Sequence, residues 1–121
     1  MQDFELIFYG KADGTEPAKD FVLNLDIKMR AKMLRAMTLL EANGNALREP
    51  YSKPLGDGIF ELRAEVGTDI SRVLYFFMVG QKIVLTNGFI KKTQKTPRKE
   101  IDTAKKYRDE YLSRDRSDDD D

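Results

Sequence analysis

The chain has 121 residues and a formal net charge of zero, with 40% hydrophobic and 35% charged residues, a composition typical of one soluble domain with a heavily charged surface. It contains neither cysteine nor histidine, which excludes disulfides, thiolate nucleophiles and imidazole acid–base catalysis. No apolar run approaches the ~18 residues that cross a bilayer, and the N-terminus lacks the basic start and cleavage site of a secretory signal. We therefore predict a cytoplasmic protein with no membrane partner.

The zero net charge hides an asymmetry between the body of the chain and its C-terminus. The last four residues, Asp118 to Asp121, are all acidic, and without them the 21 acidic residues fall to 17 against 21 basic ones. An acidic run buries nothing, so we predict a single domain over residues 1–113 and a disordered tail over residues 114–121. The mildly basic body permits a nucleic-acid partner without requiring one.

The first half of the chain predicts one strand and two helices. Residues 4–9, FELIFY, are strongly β-prone. A helix then begins near Pro17, with Thr15 or Glu16 as its cap, and its apolar residues recur at helical spacing: Ala18, Phe21, Val22 and Leu25. A second helix ends at Asn43-Gly44, and one of its faces carries core residues: Met29, Met33, Met37 and Leu40.

The second half changes to the two-residue period of β-strands. Residues 60–66 alternate apolar with charged side chains, so one face is buried and the other exposes Glu61, Arg63 and Glu65. Residues 70–80 are apolar almost throughout, as in a central strand, and a turn separates them from a further strand over residues 82–90. Three consecutive antiparallel strands are therefore expected.

A third helix is predicted after these strands. Thr96 can cap it and Pro97 can occupy its first turn, and it extends to about Leu112. Its apolar stripe is weak, so we expect it to be partly mobile or docked on a partner. The order of elements predicts an α+β domain in which helices pack on one face of a mostly antiparallel four-stranded sheet: two N-terminal helices and a C-terminal helix.

Basic residues collect where the predicted strands end. Arg63 and Arg72 lie on adjacent strands, and the segment that follows the last strand carries Lys91, Lys92 and Lys95. In simple register these five side chains meet at one end of the sheet. An arginine inside an apolar strand, as Arg72 is, seldom lacks a partner. Fixed cations beside aromatic rings suit single-stranded RNA, because cations hold phosphates and rings stack on bases.

The same residues also have simpler interpretations. Arg63 between Glu61 and Glu65 can form an exposed ion pair worth ~0–1 kcal/mol. The three lysines can be the solvated side chains of a turn, and Tyr75 can be a core residue.

Three segments resemble the RelE/ParE superfamily of bacterial toxins, and in particular its HigB branch, which includes phage-derived proteins. They are GIFELR (58–63), SRVLYFF (71–77) and GFIKKTQKTPRKEIDTAKKY (88–107). The resemblance implies a RelE-like fold and a ribosome-dependent mRNA endoribonuclease, or mRNA interferase, that inhibits translation. It implies as partners the ribosome, its mRNA and a helix-turn-helix antitoxin of the HigA type. The sequence leaves open whether the antitoxin blocks the predicted active face or docks on the helices, where the exposed part of the first two helices and the last helix are both candidate surfaces. It implies no cofactor.

The resemblance also assigns roles to residues. Arg72 falls on the arginine that contacts the scissile phosphate, Arg63 supports it, and Lys91 or Lys92 lies near the leaving oxygen. Further residues are expected in RNA binding, the aromatic ones mainly through a structural role: Lys95, Arg98, Phe89 and Tyr75. Nothing in the chain matches the tyrosine or acidic residue that some relatives use near the C-terminal end, which leaves the general base unassigned.

These residues suffice for one kind of RNA chemistry. RNA carries its own nucleophile, the 2′-OH, so a protein needs only to align the attack and stabilise the developing negative charge, which fixed arginines and lysines do. Carboxylates are not clustered at metal-ligand spacing, so we expect metal-independent cleavage that leaves a 2′,3′-cyclic phosphate. Two alternatives share the fold: a ParE-like inhibitor of DNA gyrase, and a non-catalytic RNA-binding homologue of the toxin.

Overall fold

The computed structural model describes residues 3–119, with side chains through Arg114. Over these residues the chain forms five strands and three α-helices: β1 (Glu5–Phe8), α1 (Pro17–Leu23), α2 (Ile27–Asn43), β2 (Ser52–Gly56), β3 (Ile59–Val66), β4 (Asp69–Met78), β5 (Lys82–Lys91) and α3 (Arg98–Asp119). A single 3₁₀ turn, Gly44–Ala46, follows α2. No helix within this part of the chain is both long and apolar enough to cross a membrane.

The strands form one mixed sheet in the order β1-β5-β4-β3-β2. The four strands β5, β4, β3 and β2 pair in antiparallel fashion with one another. Strand β1 lies parallel to β5, with Glu5 opposite Lys82. The α+β class and the mostly antiparallel sheet are confirmed, but the sheet has five strands where four were predicted. The missed strand, β2, has the sequence SKPLG. Its proline and glycine argue against a central strand but are compatible with the edge position that it occupies.

Helices α1 and α2 cover one face of the sheet. Their buried side chains meet alternate residues of β3, β4 and β5 in one apolar cluster, which includes the residues predicted as the core of α2: Met29, Met33, Met37 and Leu40. Asp26 caps α2, because its carboxylate accepts a hydrogen bond from the backbone N–H of Met29 at 3.0 Å. The helix ends at Asn43 as predicted, and Gly44 adopts the positive φ of 52° that follows.

Helix α3 packs against the opposite face, so the prediction that helices cover one face is wrong for this helix. Ala104 is fully buried there, and the ring of Tyr107 stacks on that of Tyr9 with centroids 4.6 Å apart. Lys105 pairs with Asp57 at 2.7 Å, which fixes the helix to the turn between β2 and β3. The weak apolar stripe is therefore sufficient to dock α3 on its own sheet, where a partner or mobility was expected.

The predicted C-terminal tail is only partly described. Helix α3 continues to Asp119, beyond the expected end near Leu112. The last two residues of the acidic run, 120–121, lie outside the described residues, and the predicted disorder of the tail stays a prediction there.

Gly88 is required where α1 lies on β5. A Cβ atom at this position would lie 2.3 Å from Cδ2 of Phe21, a side chain that belongs to the core of this face. We expect Gly88→Ala to lower the free energy of unfolding by about 1–3 kcal/mol, because the packed ring has to shift. Urea denaturation measures this, with Gly10→Ala as the control, since its Cβ would meet its nearest atom at an ordinary 3.7 Å. Equal stability of the two variants would contradict the close approach.

Candidate functional site

Three residues from adjacent strands form a row across the α3 face of the sheet. Arg63 of β3 pairs with Arg72 of β4, and Arg72 pairs with Phe89 of β5. The guanidinium carbon of Arg72 lies 5.5 Å from the centroid of the Phe89 ring, within the range of a cation–π contact. The register therefore confirms that the two arginines are adjacent, and it gives the aromatic ring a direct contact with one of them.

A single carboxylate bridges the two arginines. Oε2 of Glu61 lies 2.7 Å from Nε of Arg63, and Oε1 of Glu61 lies 3.4 Å from Nε of Arg72. The side chains of Glu61 and Arg72 are 0% exposed, and that of Arg63 is 11% exposed. The prediction that Glu61 and Arg63 lie on an exposed charged face is wrong, because α3 and the segment before it cover that face. Two cations against one anion leave the buried cluster with a formal charge of +1.

Residues 92–96, which we call the covering segment, close this cluster from solvent. The backbone oxygen of Thr93 accepts a hydrogen bond from Nη2 of Arg72. Gln94 accepts two from Arg63, through its backbone oxygen at 2.5 Å and its side-chain oxygen at 2.9 Å. The hydroxyl of Thr96 donates to Oε1 of Glu61. Thr96 was predicted to cap α3, but its side chain bonds to the buried carboxylate instead, and the helix begins at Arg98.

The guanidinium of Arg72 retains unused donors. Its Nη1 is buried and has no hydrogen-bond partner in the described structure, and its Nε has only the 3.4 Å ion pair with Glu61. Burial lowers the pKa of Arg72, and the charge of Glu61 opposes this shift. An arginine nevertheless stays protonated near neutral pH. Arg72 is therefore a fixed cation with a buried, unpaired N–H group, and an incoming anion can accept a hydrogen bond from this group.

The predicted lysines lie at the exposed rim of this cluster. Lys91 ends β5 opposite Ile70, and Lys92 and Lys95 lie on the covering segment with exposed side chains. None of the three takes part in an ion pair within the described residues. Arg98 is also exposed, at 76%, but it pairs with Asp102 at 3.3 Å. The rim therefore offers three uncompensated lysines next to the buried arginines.

Tyr75 lies on the other face of the sheet, away from the arginines. It is 1% exposed, its ring stacks on Phe60 with centroids 5.6 Å apart, and its hydroxyl lies 2.5 Å from that of Ser52. Of the two aromatic residues expected in RNA binding, the structure thus places only Phe89 at the cluster. The core interpretation of Tyr75 agrees with its burial.

The buried Tyr75 hydroxyl has a measurable consequence for stability at high pH. Burial raises its pKa above the ordinary 10.0, partly offset by the Ser52 hydrogen bond. The folded state therefore holds the phenolic proton after the unfolded state has lost it. The stability that this proton contributes is present below pH 10.0, and it is lost as the pH rises toward the higher folded-state value.

Tyr75→Phe is expected to decline in stability less steeply than wild type above about pH 10. At neutral pH the variant should lose about 1–3 kcal/mol, because the Ser52 hydroxyl is left without its partner. Urea denaturation at a series of pH values measures both effects. Tyr51→Phe serves as the control, since this tyrosine is 38% exposed. Parallel stability curves for wild type and Tyr75→Phe would contradict the burial of the phenol.

Sequence reasoning missed the polar partners of the cluster. The sequence indicates that Arg72 needs a partner, but it offers Glu61 and Glu65 only as exposed ion-pair partners of Arg63. One sequence feature could have predicted this shared carboxylate. Glu61 and Arg63 are two residues apart and so lie on the same face of β3, and Arg72 lies next to them on the following strand. Gln94 and Thr93 carry no such signal, since they act largely through backbone oxygens. Among the side chains that the structure describes, which end at Arg114, no group of three or more acidic residues is arranged to hold a metal ion.

Comparison with known proteins identifies the family. The model of the family described as phage derived protein Gp49-like (DUF891) matches residues 20–109, which include the whole arginine cluster and the covering segment. No curated protein sequence matches the chain. Because the match spans most of the chain, from α1 into α3, the chain belongs to the Gp49-like phage-derived family, which is part of the RelE/HigB-like group of toxin–antitoxin toxins.

Proposed function

We propose that this toxin is a ribosome-dependent mRNA endoribonuclease of the HigB type that inhibits translation in the cytoplasm. The observation that carries the proposal is the buried guanidinium of Arg72, which has a free N–H group and lies beside Arg63 and three uncompensated lysines. A cluster of this kind supports the binding of a phosphate diester and of the extra negative charge that develops during its cleavage.

The proposed reaction uses the RNA as its own nucleophile. The 2′-oxygen attacks the adjacent phosphorus, the bond from phosphorus to the 5′-oxygen breaks, and the products are a 2′,3′-cyclic phosphate and a 5′-hydroxyl. Arg72 donates to a non-bridging phosphate oxygen, with Arg63 in support, and Lys91 or Lys92 stabilises the leaving 5′-oxygen. The proton of the 2′-OH goes to a base that stays unassigned, and the leaving 5′-oxygen takes up a proton from solvent to become the 5′-hydroxyl.

Phosphate binding requires the covering segment to move. Arg72 now donates to the backbone oxygen of Thr93, and Arg63 donates to Gln94. A phosphate offers anionic acceptors that form stronger, charge-assisted hydrogen bonds than these neutral oxygens. In the proposed exchange, the phosphate takes the place of the Thr93 and Gln94 oxygens as the acceptor for the two arginines. Lys92 and Lys95 belong to the covering segment and therefore move with it. A site closed in the free protein supports a role for the ribosome in opening it, and free RNA is then cut poorly.

The proposed partners follow from the family and the site. A toxin of a toxin–antitoxin group has an antitoxin partner. We propose that it is a helix-turn-helix protein of the HigA type, and that the ribosome and its mRNA are the targets. The proposed RNA surface comprises Lys95, Arg98 and Phe89 around the arginine cluster, with Tyr75 contributing through the packing of the sheet.

A second candidate is a non-catalytic toxin that binds RNA without cutting it. The complete burial of Arg72 favours this candidate, because a covered guanidinium can serve the fold alone. It predicts salt-sensitive RNA binding, since the lysines contact phosphates, and no new RNA ends.

Pulse labelling in bacteria after tight induction of the chain tests these functions. Amino-acid and thymidine incorporation are followed separately, and RNA 5′ ends are sequenced from the same cultures. The proposal expects protein synthesis to fall within minutes while DNA synthesis continues, with new 5′-hydroxyl ends inside translated messages. Translational arrest without new ends would support the non-catalytic candidate. An early stop in DNA synthesis would instead indicate a gyrase inhibitor of the ParE type.

A further inference from the structure

A small basic pocket lies where α2 passes the outer edge of β3. Strand β2 pairs with β3 only as far as Leu62, so the last residues of β3 have no strand beside them at this edge. Helix α2 contacts β3, and the two leave a pocket of about 200 Å³ between them. This pocket, which we call the edge pocket, is lined by five residues: Lys32, Arg35, Tyr51, Arg63 and Ala64.

The edge pocket carries cations that lack a compensating carboxylate. Three of its five lining residues are basic and none is acidic. Arg63 is compensated by Glu61. Lys32 donates to the backbone oxygen of Glu65 at 3.0 Å, which is a neutral acceptor and leaves the ammonium group with further donors. Arg35 is exposed and forms no ion pair with any side chain that the structure describes. The pocket therefore offers two positive charges to an anion.

An aromatic ring lies beside these cations. Tyr51 is 38% exposed, and two hydrogen bonds fix its backbone. Its N–H donates to the backbone oxygen of Arg48 at 3.1 Å, and its own oxygen accepts from the N–H of Arg63 at 2.8 Å. Exposed rings stack on the bases of single-stranded RNA, while neighbouring cations hold the phosphates.

The size of the edge pocket restricts what it can hold. Its volume of about 200 Å³ is below the ~300–1,000 Å³ of pockets that enclose drug-sized ligands. A pocket of this size suits a phosphate group, with the attached base outside it against the Tyr51 ring.

Arg63 belongs both to the edge pocket and to the arginine cluster. It lines the pocket, and it pairs with Arg72 across β3 and β4. An RNA strand that contacts Arg72 therefore passes close to the pocket. The covering segment closes the cluster, whereas the side chains of Lys32, Arg35 and Tyr51 are exposed. The pocket can consequently bind a phosphate before the covering segment moves.

We propose that the edge pocket is a second phosphate subsite, which holds the RNA backbone beside the phosphate that contacts Arg72. Arg35 and Lys32 donate to the oxygens of this second phosphate, and the Tyr51 ring stacks on the adjoining base. The subsite anchors the strand while the arginine cluster is still covered. This inference rests on the proposed function for the identity of the RNA, but binding in the subsite requires no cleavage.

Binding of a fluorescently labelled single-stranded RNA to the full-length chain tests the subsite. The RNA carries a methyl group on every 2′-oxygen, so the 2′-oxygen cannot attack and binding is separated from cleavage. Arg35→Gln is expected to weaken binding about fivefold at 0.1 M salt, because one phosphate contact is lost. The slope of log affinity against log salt should become shallower by about 0.7, the value for one phosphate on a single strand. Fluorescence anisotropy at several salt concentrations measures both changes.

Variants of Tyr51 test the contribution of the ring. Tyr51→Ala should weaken RNA binding about fivefold or more, because one stacked base is lost, and it should leave the salt slope unchanged. Tyr51→Phe keeps the ring and should bind RNA like wild type. A Tyr51→Ala variant that binds like Tyr51→Phe would overturn the stacking part of the proposal.

Lys82→Gln is the control for the loss of one exposed positive charge. Lys82 is exposed and begins β5, at the end of this strand away from Lys91. Its removal should leave the affinity for RNA and the salt slope nearly unchanged. Equal affinities and equal slopes for Arg35→Gln and Lys82→Gln would overturn the phosphate subsite.

Two further outcomes would overturn the proposal in favour of another occupant. Weaker binding of Arg35→Gln to empty ribosomes, with unchanged binding of the free RNA, would assign the edge pocket to ribosomal RNA. Binding of a polyglutamate peptide as tightly as the RNA, weakened equally by Arg35→Gln, would assign it to an acidic protein.

Cleavage of mRNA on translating ribosomes is measured in parallel with the same variants. If the wild-type chain cuts no message while its RNA binding depends on Arg35 and Tyr51 as expected, the proposed nuclease function fails and the subsite is supported. If the wild-type chain cuts messages and Arg35→Gln binds RNA and cuts at the wild-type rate, the subsite fails and the nuclease function is supported.

Discussion

Glu61→Gln is expected to lower the free energy of unfolding by about 3–5 kcal/mol. The glutamine keeps the size of the side chain and can still accept hydrogen bonds from Thr96 and Arg63. It removes the only carboxylate that compensates the fully buried guanidinium of Arg72 among the described ion pairs. An uncompensated charge in a fully buried site costs far more than an exposed pair contributes.

Urea denaturation with two comparison variants checks this expectation. Glu65→Gln removes an exposed carboxylate four residues along the same strand, and it should change stability by no more than about 0.5 kcal/mol. The double variant Glu61→Gln/Arg72→Met removes both members of the buried pair, and it should be more stable than Glu61→Gln alone, because no unpaired charge is left behind. If Glu61→Gln were as stable as Glu65→Gln, the buried bridge would be of little consequence for the fold.

The same double variant should lose activity by at least about 100-fold while remaining folded. Arg72 is the proposed contact of the scissile phosphate, and removal of one preorganised donor to a developing oxyanion typically costs 10²–10³-fold in rate, or about 3–4 kcal/mol. Methionine fills much of the volume of the arginine stem, and the neutral glutamine beside it avoids a buried unpaired carboxylate. Loss of activity is then not a consequence of unfolding.

Activity is measured as the rate of mRNA cleavage on translating ribosomes, with circular dichroism and urea denaturation on the same preparations. Arg108→Met is the control, because Arg108 lies on α3, donates to the backbone oxygen of Asp57 in the turn between β2 and β3, and has no place in the proposed site. It should cleave like wild type. A folded double variant that cleaves at the wild-type rate would remove Arg72 from the mechanism.

Much of the fold is encoded in local patterns. The methionine face of α2 and the alternation of β3 predicted elements that the structure contains. The parallel docking of β1 and the position of α3 depend instead on contacts between distant parts of the chain. Tyr107 stacks on Tyr9, and neither residue has a neighbour in sequence that reveals this contact. The apolar stripe of α3 is weak when it is judged from the helix sequence alone. It is sufficient to dock the helix because the opposite face of the sheet offers matching apolar side chains.

The candidate site likewise has one part that local sequence patterns predict and one part that depends on contacts between distant residues. A tight turn joins β3 to β4, so the pairing of Arg63 with Arg72 follows from simple register, and it was predicted. The closure of the cluster by Thr93 and Gln94 was not predicted, because two of the three hydrogen bonds are accepted by backbone oxygens, which every residue type carries. The sequence therefore indicates where the cations lie but not that they are covered.

The parallel pairing of β1 with β5 has a consequence for the order in which the protein is completed during its synthesis. β1 leaves the ribosome first, yet Glu5 pairs with Lys82 and Phe8 with Leu85, so this strand has no partner until most of the domain has been made. Pairings between such distant segments form late in folding. The row from Arg63 to Phe89 needs β5 as well, and the covering segment follows it. A chain whose synthesis stops before β5 therefore lacks both the finished sheet and the assembled cluster. The site on which the proposed function depends is absent until most of the last third of the chain has been made.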